Sequence, residues 1–313
     1  MAIEVSGLLL GLLGLWLGTE WTINSAISIA KHYKLSDLFV GMGILAIGSD
    51  LPELAVAIDA GITTYQGINA SAMVVGSSIG SAFAQIGLVL GITGLSGYLL
   101  IGRSYLLRHG VVLVGSIVVL WLVGYDGLVS RLDGLILLVL FIIYFLLLLK
   151  EETTDSKSLI GDRGPVPQTW FKLVGGIATI IAASELTVST AIQLAERLEI
   201  AQVVIAMFVV GVGTSLPELS ISLGAIRQKR GALSVGNILG SNIFDTLVPI
   251  GAASIIYPVQ FDGRLLYFDL PILAALSILV LLLFLYKKGL QKREAVVVLV
   301  AYGCYAAANL IFL

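Results

Sequence analysis

Two stretches decide how this chain folds: Gly48-Ser49-Asp50-Leu51-Pro52-Glu53-Leu54 and Gly213-Thr214-Ser215-Leu216-Pro217-Glu218-Leu219. Each sets a proline and an acid inside an apolar run long enough for a membrane helix, which needs roughly 20 residues to cross about 30 Å of hydrocarbon. Proline withholds a backbone donor and clashes with the carbonyl four residues back. Carbonyls in the preceding turn, around Ala46, Ser49, Gly211 and Thr214, are therefore expected to lose helical partners. In a bilayer such groups persist only where they face protein, water or an ion. Together with Glu53 or Glu218 and a nearby hydroxyl they form hard oxygen ligands of the kind Ca2+ and Na+ take. A lone proline in a membrane helix is ordinarily a kink, but an intramembrane acid is functional by default. Two such motifs in matching places make a candidate cation site.

Working outward, the two stretches superimpose at an offset of 165 residues, and the same offset aligns Gly18-Thr19-Glu20-Trp21-Thr22 with Ala183-Ser184-Glu185-Leu186-Thr187. The 313 residues are 58% hydrophobic and only 12% charged, about half the charged fraction of a soluble domain, and the mean hydropathy is +1.02. This composition belongs in a lipid bilayer and gives no support to nucleic-acid binding. Apolar windows predict ten helices, at 5–30, 37–62, 69–97, 107–125, 131–149, 168–196, 201–226, 232–258, 267–286 and 293–312. The polar stretch 151–167 divides them five and five, so 1–150 reads as a first five-helix repeat, 151–167 as a cytoplasmic linker and 168–313 as a second repeat. An odd number of spans per half inverts the second copy, the arrangement that supports alternating access around a midplane site. The predicted fold class is thus all-α and polytopic, ten transmembrane helices in two inverted repeats. With ten spans, fifteen of the 18 lysines and arginines fall on one side, and only Arg131, Arg197 and Arg264 on the other. The rich side is expected to be cytoplasmic, with both termini outside a cell membrane.

The third and eighth predicted helices carry Gly76-Ser77-Ser78-Ile79-Gly80-Ser81-Ala82-Phe83-Ala84-Gln85 and Gly236-Asn237-Ile238-Leu239-Gly240-Ser241-Asn242-Ile243-Phe244-Asp245. Small residues four apart let helices approach closely. Ser81 with Gln85, and Ser241 with Asp245, stack polar groups on one helical face, where they are expected to line the cavity beside the glutamates. Other polar residues carry less: Glu20 and Glu185 divide evenly between vestibule and interfacial roles, and Asp59, His32 and His109 read as solvated. The four tryptophans read as lipid or interface anchors, and the single cysteine, Cys304, excludes an intramolecular disulfide.

GTSLPEL with GNILGSNIFD resembles the repeat signature of the calcium/cation antiporter superfamily, in particular its sodium/calcium exchangers, over essentially the whole chain. The resemblance implies four ion subsites at the centre of the fold. Glu53 and Glu218 would bridge Ca2+ with backbone oxygens of Ser49 and Thr214. Sodium subsites would draw on Ala46, Ser49, Ser81, Gly211, Thr214, Ser215 and Ser241, with Gln85 and Asp245 around the middle position, and the first and sixth helices would form a sliding gate. The first repeat departs from the family pattern at Asp50, Ser77, Ala82 and Gln85. Asp50, where a hydroxyl is usual, raises the central acids to four. Carboxylates crowded around one divalent ion repel one another, so at least one is expected to bind a proton.

The expected function is exchange of Ca2+ for Na+ by a chain acting as a monomer, with no resident cofactor, since both ions are cargo. A proton-coupled Ca2+ or divalent-cation antiporter is the alternative, and Asp50 is the residue that favours it. An intramembrane aspartyl protease would need Asp126 to meet Asp245, and the chain lacks a Gly-x-Gly-Asp motif. A passive channel would not need the repeat.

Overall fold

The computed structural model describes residues 2–155, 167–197, 215–287 and 289–311. α1 (Ala2–Tyr33) leads into a broken pair, α2 (Asp37–Ser49) and α3 (Leu51–Tyr65), bent by 43° on either side of Asp50. α4 (Ser71–Ser96), α5 (Arg103–Val123) and α6 (Arg131–Asp155) follow. Then come α7 (Pro167–Arg197), α8 (Leu216–Arg227), α9 (Gly231–Ile256), α10 (Leu265–Tyr286) and α11 (Lys292–Ile311). Seven of the described helices are long and apolar enough to cross a bilayer, and α2 with α3 make an eighth span if taken as one. Large apolar side chains on α1 and α6, among them Leu9, Leu13, Trp16, Ile142 and Leu146, point outward, as lipid-facing surfaces require. The molecule is an integral membrane protein. Of the predicted seventh helix, 201–214 lie outside the described residues and α8 is the remainder.

α9 is the core, buried without interruption from Leu233 to Gly251. Its glycines explain how its neighbours come so near. A Cβ on Gly236 would lie 2.5 Å from the Leu38 carbonyl oxygen, and one on Gly240 would lie 2.7 Å from Met42 Cα. α2 thus crosses α9 backbone to backbone, the close approach that small residues permit between membrane helices. Gly236→Val is expected to destabilise the protein by about 1–3 kcal/mol or more through overpacking, seen as a fall in Tm in detergent. An unchanged Tm would show that α2 can retreat without loss.

α1 and α7 run antiparallel along a second small-residue seam. Gly7 faces Thr190, Gly11 faces Thr187, Gly14 faces Ala183, Gly18 faces Ile180, and Gly176 faces Thr22.

The connecting segments meet in two sets. A two-residue antiparallel ribbon pairs β1 (Leu128–Val129) with β2 (Val259–Gln260), and Gln260 also bonds Asn69 and Ser71. At the other end Leu99 bridges Leu290, Arg230 pairs with Asp37, Arg108 with Glu151, and the backbone N–H and hydroxyl of Ser36 both donate to Glu152. These are the two groups of loops that alternation of the predicted spans separates. The contacts of Glu151 and Glu152 also explain a difference from expectation. The linker was predicted to begin at residue 151, yet α6 remains helical to Asp155, because both acids are held against neighbouring helix ends; 156–166 lie outside the described residues.

Candidate functional site

Pro52 lies in the first turn of α3 and Pro217 in the first turn of α8, where a missing N–H has no helical acceptor to disappoint. The residue before each helix takes the same sparsely populated backbone conformation: Asp50 at φ −90° and ψ 6°, Ser215 at φ −101° and ψ 11°. One break geometry is therefore written twice, at positions 165 apart, by residues of different chemistry. Each break turns the following helix so that its first turn holds a buried glutamate, Glu53 or Glu218, near the end of the helix dipole that favours negative charge.

Around these breaks the structure gathers four acids. Asp50, Glu218 and Asp245 are 0% exposed and Glu53 is 6% exposed. Each of Asp50, Glu218 and Asp245 is close enough to feel the charge of two of the other acids. The donors present are neutral. The Ser81 hydroxyl donates to Glu53 Oε1 at 3.3 Å and the Ser241 hydroxyl to Asp50 Oδ1 at 2.9 Å. Gln85 Nε2 donates to Asp245 Oδ2 at 3.0 Å, while Asn242 Nδ2 donates to Gln85 Oε1 at 3.0 Å. Among the described residues, Asp50 Oδ2, Glu53 Oε2, both Glu218 oxygens, Asp245 Oδ1, Asn242 Oδ1 and the Ser215 hydroxyl have no partner. The ion pairs Arg108–Glu151 and Arg230–Asp37 lie at helix ends. Burying an uncompensated carboxylate costs several kcal/mol, so this constellation calls for cations. Among the described residues no three His, Cys, Asp or Glu side chains are arranged to hold a metal by themselves. The hydroxyl, amide and main-chain oxygens must supply the rest of any shell, which suits a hard cation rather than a soft one.

Eight of the sequence-predicted residues, Ser49, Asp50, Glu53, Ser81, Gln85, Glu218, Ser241 and Asp245, are buried and joined to or near this cluster, with Ser215 buried at its break. Gly211 and Thr214 lie outside the described residues. Ala46 differs from expectation. Its carbonyl is not released by the proline, since it accepts from the Asp50 N–H at 3.0 Å and lies 3.2 Å from the Ser49 hydroxyl. Pro52 instead withholds the donor that would reach Gly48, four residues back.

Asn242 was not singled out from the sequence, although it stands in the GNILGSNIFD stretch. Its partner, Gln85, lies on another helix, and that link is visible only in three dimensions. His109 is a correction: it is 2% exposed, 3.2 Å from the Tyr144 hydroxyl through Nδ1, because α5 turns it inward from the basic residues beside it. Glu20 accepts from Asn24 on its own helix, and Glu185 and Asp59 are exposed. Asp126 accepts from the Leu128 N–H in an exposed loop, apart from the buried Asp245, so no aspartyl pair forms.

The comparisons with known proteins agree with this geometry. The family model for sodium/calcium exchanger proteins matches residues 3–150 and 169–311. The chain is 32% identical to an uncharacterised membrane protein of Methanocaldococcus jannaschii over 92% of its own length and 91% of that protein's. It is 29% identical to the sodium/calcium exchanger MaX1 of Methanosarcina acetivorans, over 95% of this chain and 96% of that one. The solved structure of the sodium-calcium exchanger NCX_Mj, soaked without Na+ and Ca2+, superimposes with a TM-score of 0.84 at 28% identity and covers 99% of this chain and 100% of that one. Two matched halves, the buried acids of their proline motifs and full-length structural likeness place this chain in the sodium/calcium exchanger protein family.

Proposed function

We propose that the chain is a secondary active antiporter that exchanges Ca2+ for Na+ across the cell membrane by alternating access, as a monomer and without a resident cofactor. The observation that carries this reading is the set of four buried acids whose side-chain hydrogen-bond donors, among the described residues, are all neutral. Glu53 and Glu218 would bridge Ca2+. Sodium ions would take the hydroxyl and carbonyl oxygens contributed by Ala46, Ser49, Ser81, Gly211, Thr214, Ser215 and Ser241. Because both ions use the same carboxylates, occupancy by one excludes the other. Antiport follows from that competition if the empty cavity does not change sides.

Two inverted five-helix repeats, 1–150 and 168–313 joined by 151–167, are part of this reading. Contacts that exchange under the repeat support it. Gly11 against Thr187 Oγ1 becomes Gly176 against Thr22 Oγ1 when each residue is moved by the repeat offset. The Leu99–Leu290 bridge and the β1–β2 ribbon lie in loops that likewise trade places. With the lysine- and arginine-rich loops cytoplasmic, both termini lie outside. In a Cys304→Ser background, Arg227→Cys should react with an impermeant thiol reagent only after permeabilisation, and Gly263→Cys in intact cells. The reverse pattern would overturn the orientation.

The coupling ion is decided by 45Ca2+ uptake into proteoliposomes preloaded with Na+, with K+, or under a pH gradient at constant Na+. Uptake driven by the Na+ gradient alone supports this reading. Uptake driven only by the pH gradient would favour proton coupling, for which Asp50, an acid where the second repeat has Ser215, is the specific observation.

A further inference from the structure

Away from the acids, the ends of α4 and α11 flank an open cavity of about 480 Å³ lined by Gly94, Gly97, Tyr98, Gln291, Lys292 and Arg293. This is within the size range of small-molecule sites, roughly 300–1,000 Å³. Its position is set by the glycines: Gly94 lets the Ala295 and Leu290 side chains come against α4, and Gly97 admits Ile226 from α8. Two cationic side chains and an amide are among its lining residues, and no acid is among the described residues that line it; Glu294, the next residue, is buried. The flanking surface is apolar and outward-facing, with Leu95, Leu100, Val296 and Val297 exposed. The cavity thus sits where helices leave the bilayer, charged on the loop side and greasy on the lipid side.

We propose that this cavity binds the phosphate headgroup of an anionic phospholipid from the leaflet on the lysine- and arginine-rich side, with Lys292 and Arg293 as its cationic partners. Basic pockets between membrane helices at the headgroup level take anionic lipids in this way. The occupant is amphipathic because the cavity's surroundings are: a soluble anion would use Lys292 and Arg293 but leave the adjacent Leu95, Val296 and Val297 without a function. A lipid held here would bridge the end of α4 to the start of α11. Those helices stay in contact toward the ion cavity through Leu299 on Gly91, Tyr302 on Gly87 and Tyr305 stacked on Phe83 at 3.8 Å. Bound lipid is therefore expected to stabilise the packing of the helix that carries Ser81 and Gln85.

The test uses the full chain purified in detergent, with phosphatidylglycerol, phosphatidylcholine or inorganic phosphate added, read by native mass spectrometry and thermal melting. Wild type should retain phosphatidylglycerol over phosphatidylcholine and melt higher with it. Lys292→Gln/Arg293→Gln should weaken retention on the order of 20-fold, from about fivefold per charge near the membrane surface. The charge-preserving Lys292→Arg/Arg293→Lys should retain it, and Lys31→Gln, a charge removed elsewhere on the same side, should not matter. Equal retention of both lipids by wild type would overturn the proposal even if the double glutamine variant failed to fold. So would undiminished phosphatidylglycerol retention by that variant. A melting increase reproduced by millimolar phosphate alone would assign the cavity to a soluble anion and equally overturn it. None of these readouts depends on ion exchange.

Discussion

Glu53→Gln and Glu218→Gln are each expected to reduce Na+-dependent 45Ca2+ uptake by about a thousandfold or more while leaving the protein folded. Glutamine keeps the shape and one oxygen but removes a unit charge. At about 4 Å and an effective dielectric of about 20, one pair of unit charges is worth about 4 kcal/mol, which is roughly three decades in affinity. The divalent ion feels the loss twice over, so Ca2+ suffers more than Na+. Folding should not suffer, because neither Glu218 oxygen has a hydrogen-bond donor among the described residues and removing an uncompensated buried charge relieves its desolvation cost. The Tm of the glutamine variants without ions should match or exceed that of wild type. Uptake at the wild-type rate by either variant would show that its carboxylate is no ligand.

Asp50→Ser is expected to alter which cations accompany Ca2+. Four carboxylates converge on this region, and one Ca2+ offsets two charges, so further cations, Na+ or H+, must make up the difference. Serine reproduces the chemistry of Ser215 in the matching break, where the backbone angles are nearly the same, and so the substitution fits without strain. It removes the acceptor of the 2.9 Å bond from Ser241 and the repulsion that Asp50 shares with Glu53 and Asp245. Uptake measured against pH at fixed Na+ should then vary less steeply, and the Na+ dependence should strengthen. Curves with the same midpoint and slope for wild type and variant would make Asp50 a bystander to the coupling.

Much of this site is legible in the chain because membrane helices leave few choices. An acid or a proline in an apolar run is conspicuous, and its repetition at a fixed offset is harder still to attribute to packing. Asp50 stood out for the same reason. Ala46 shows where such reading stops. Proline removes a donor, but which carbonyl goes without one depends on how the chain turns at the break, and the 43° bend between α2 and α3 leaves the Ala46 carbonyl its helical donor, the Asp50 N–H. His109 is a second case: its neighbours in sequence are basic and polar, yet the rotation of α5 carries it against Tyr144.

By itself the sequence determined that this protein spans a bilayer, that a proline–acid motif recurs 165 positions on, and that Glu53 and Glu218 are the acids of those two motifs. Hydropathy, proline chemistry and the cost of charge in hydrocarbon are local properties, readable one helix at a time. Only the tertiary structure decided that Gln85 is tied to Asp245 and Asn242, that Ser241 hydrogen-bonds Asp50 across 191 positions, and that α4 and α11 flank a basic cavity. The hydrogen bonds among these join residues up to 191 positions apart. Their geometry follows from the closeness at which α9 meets its neighbours, set by glycines whose partners no single helix reveals.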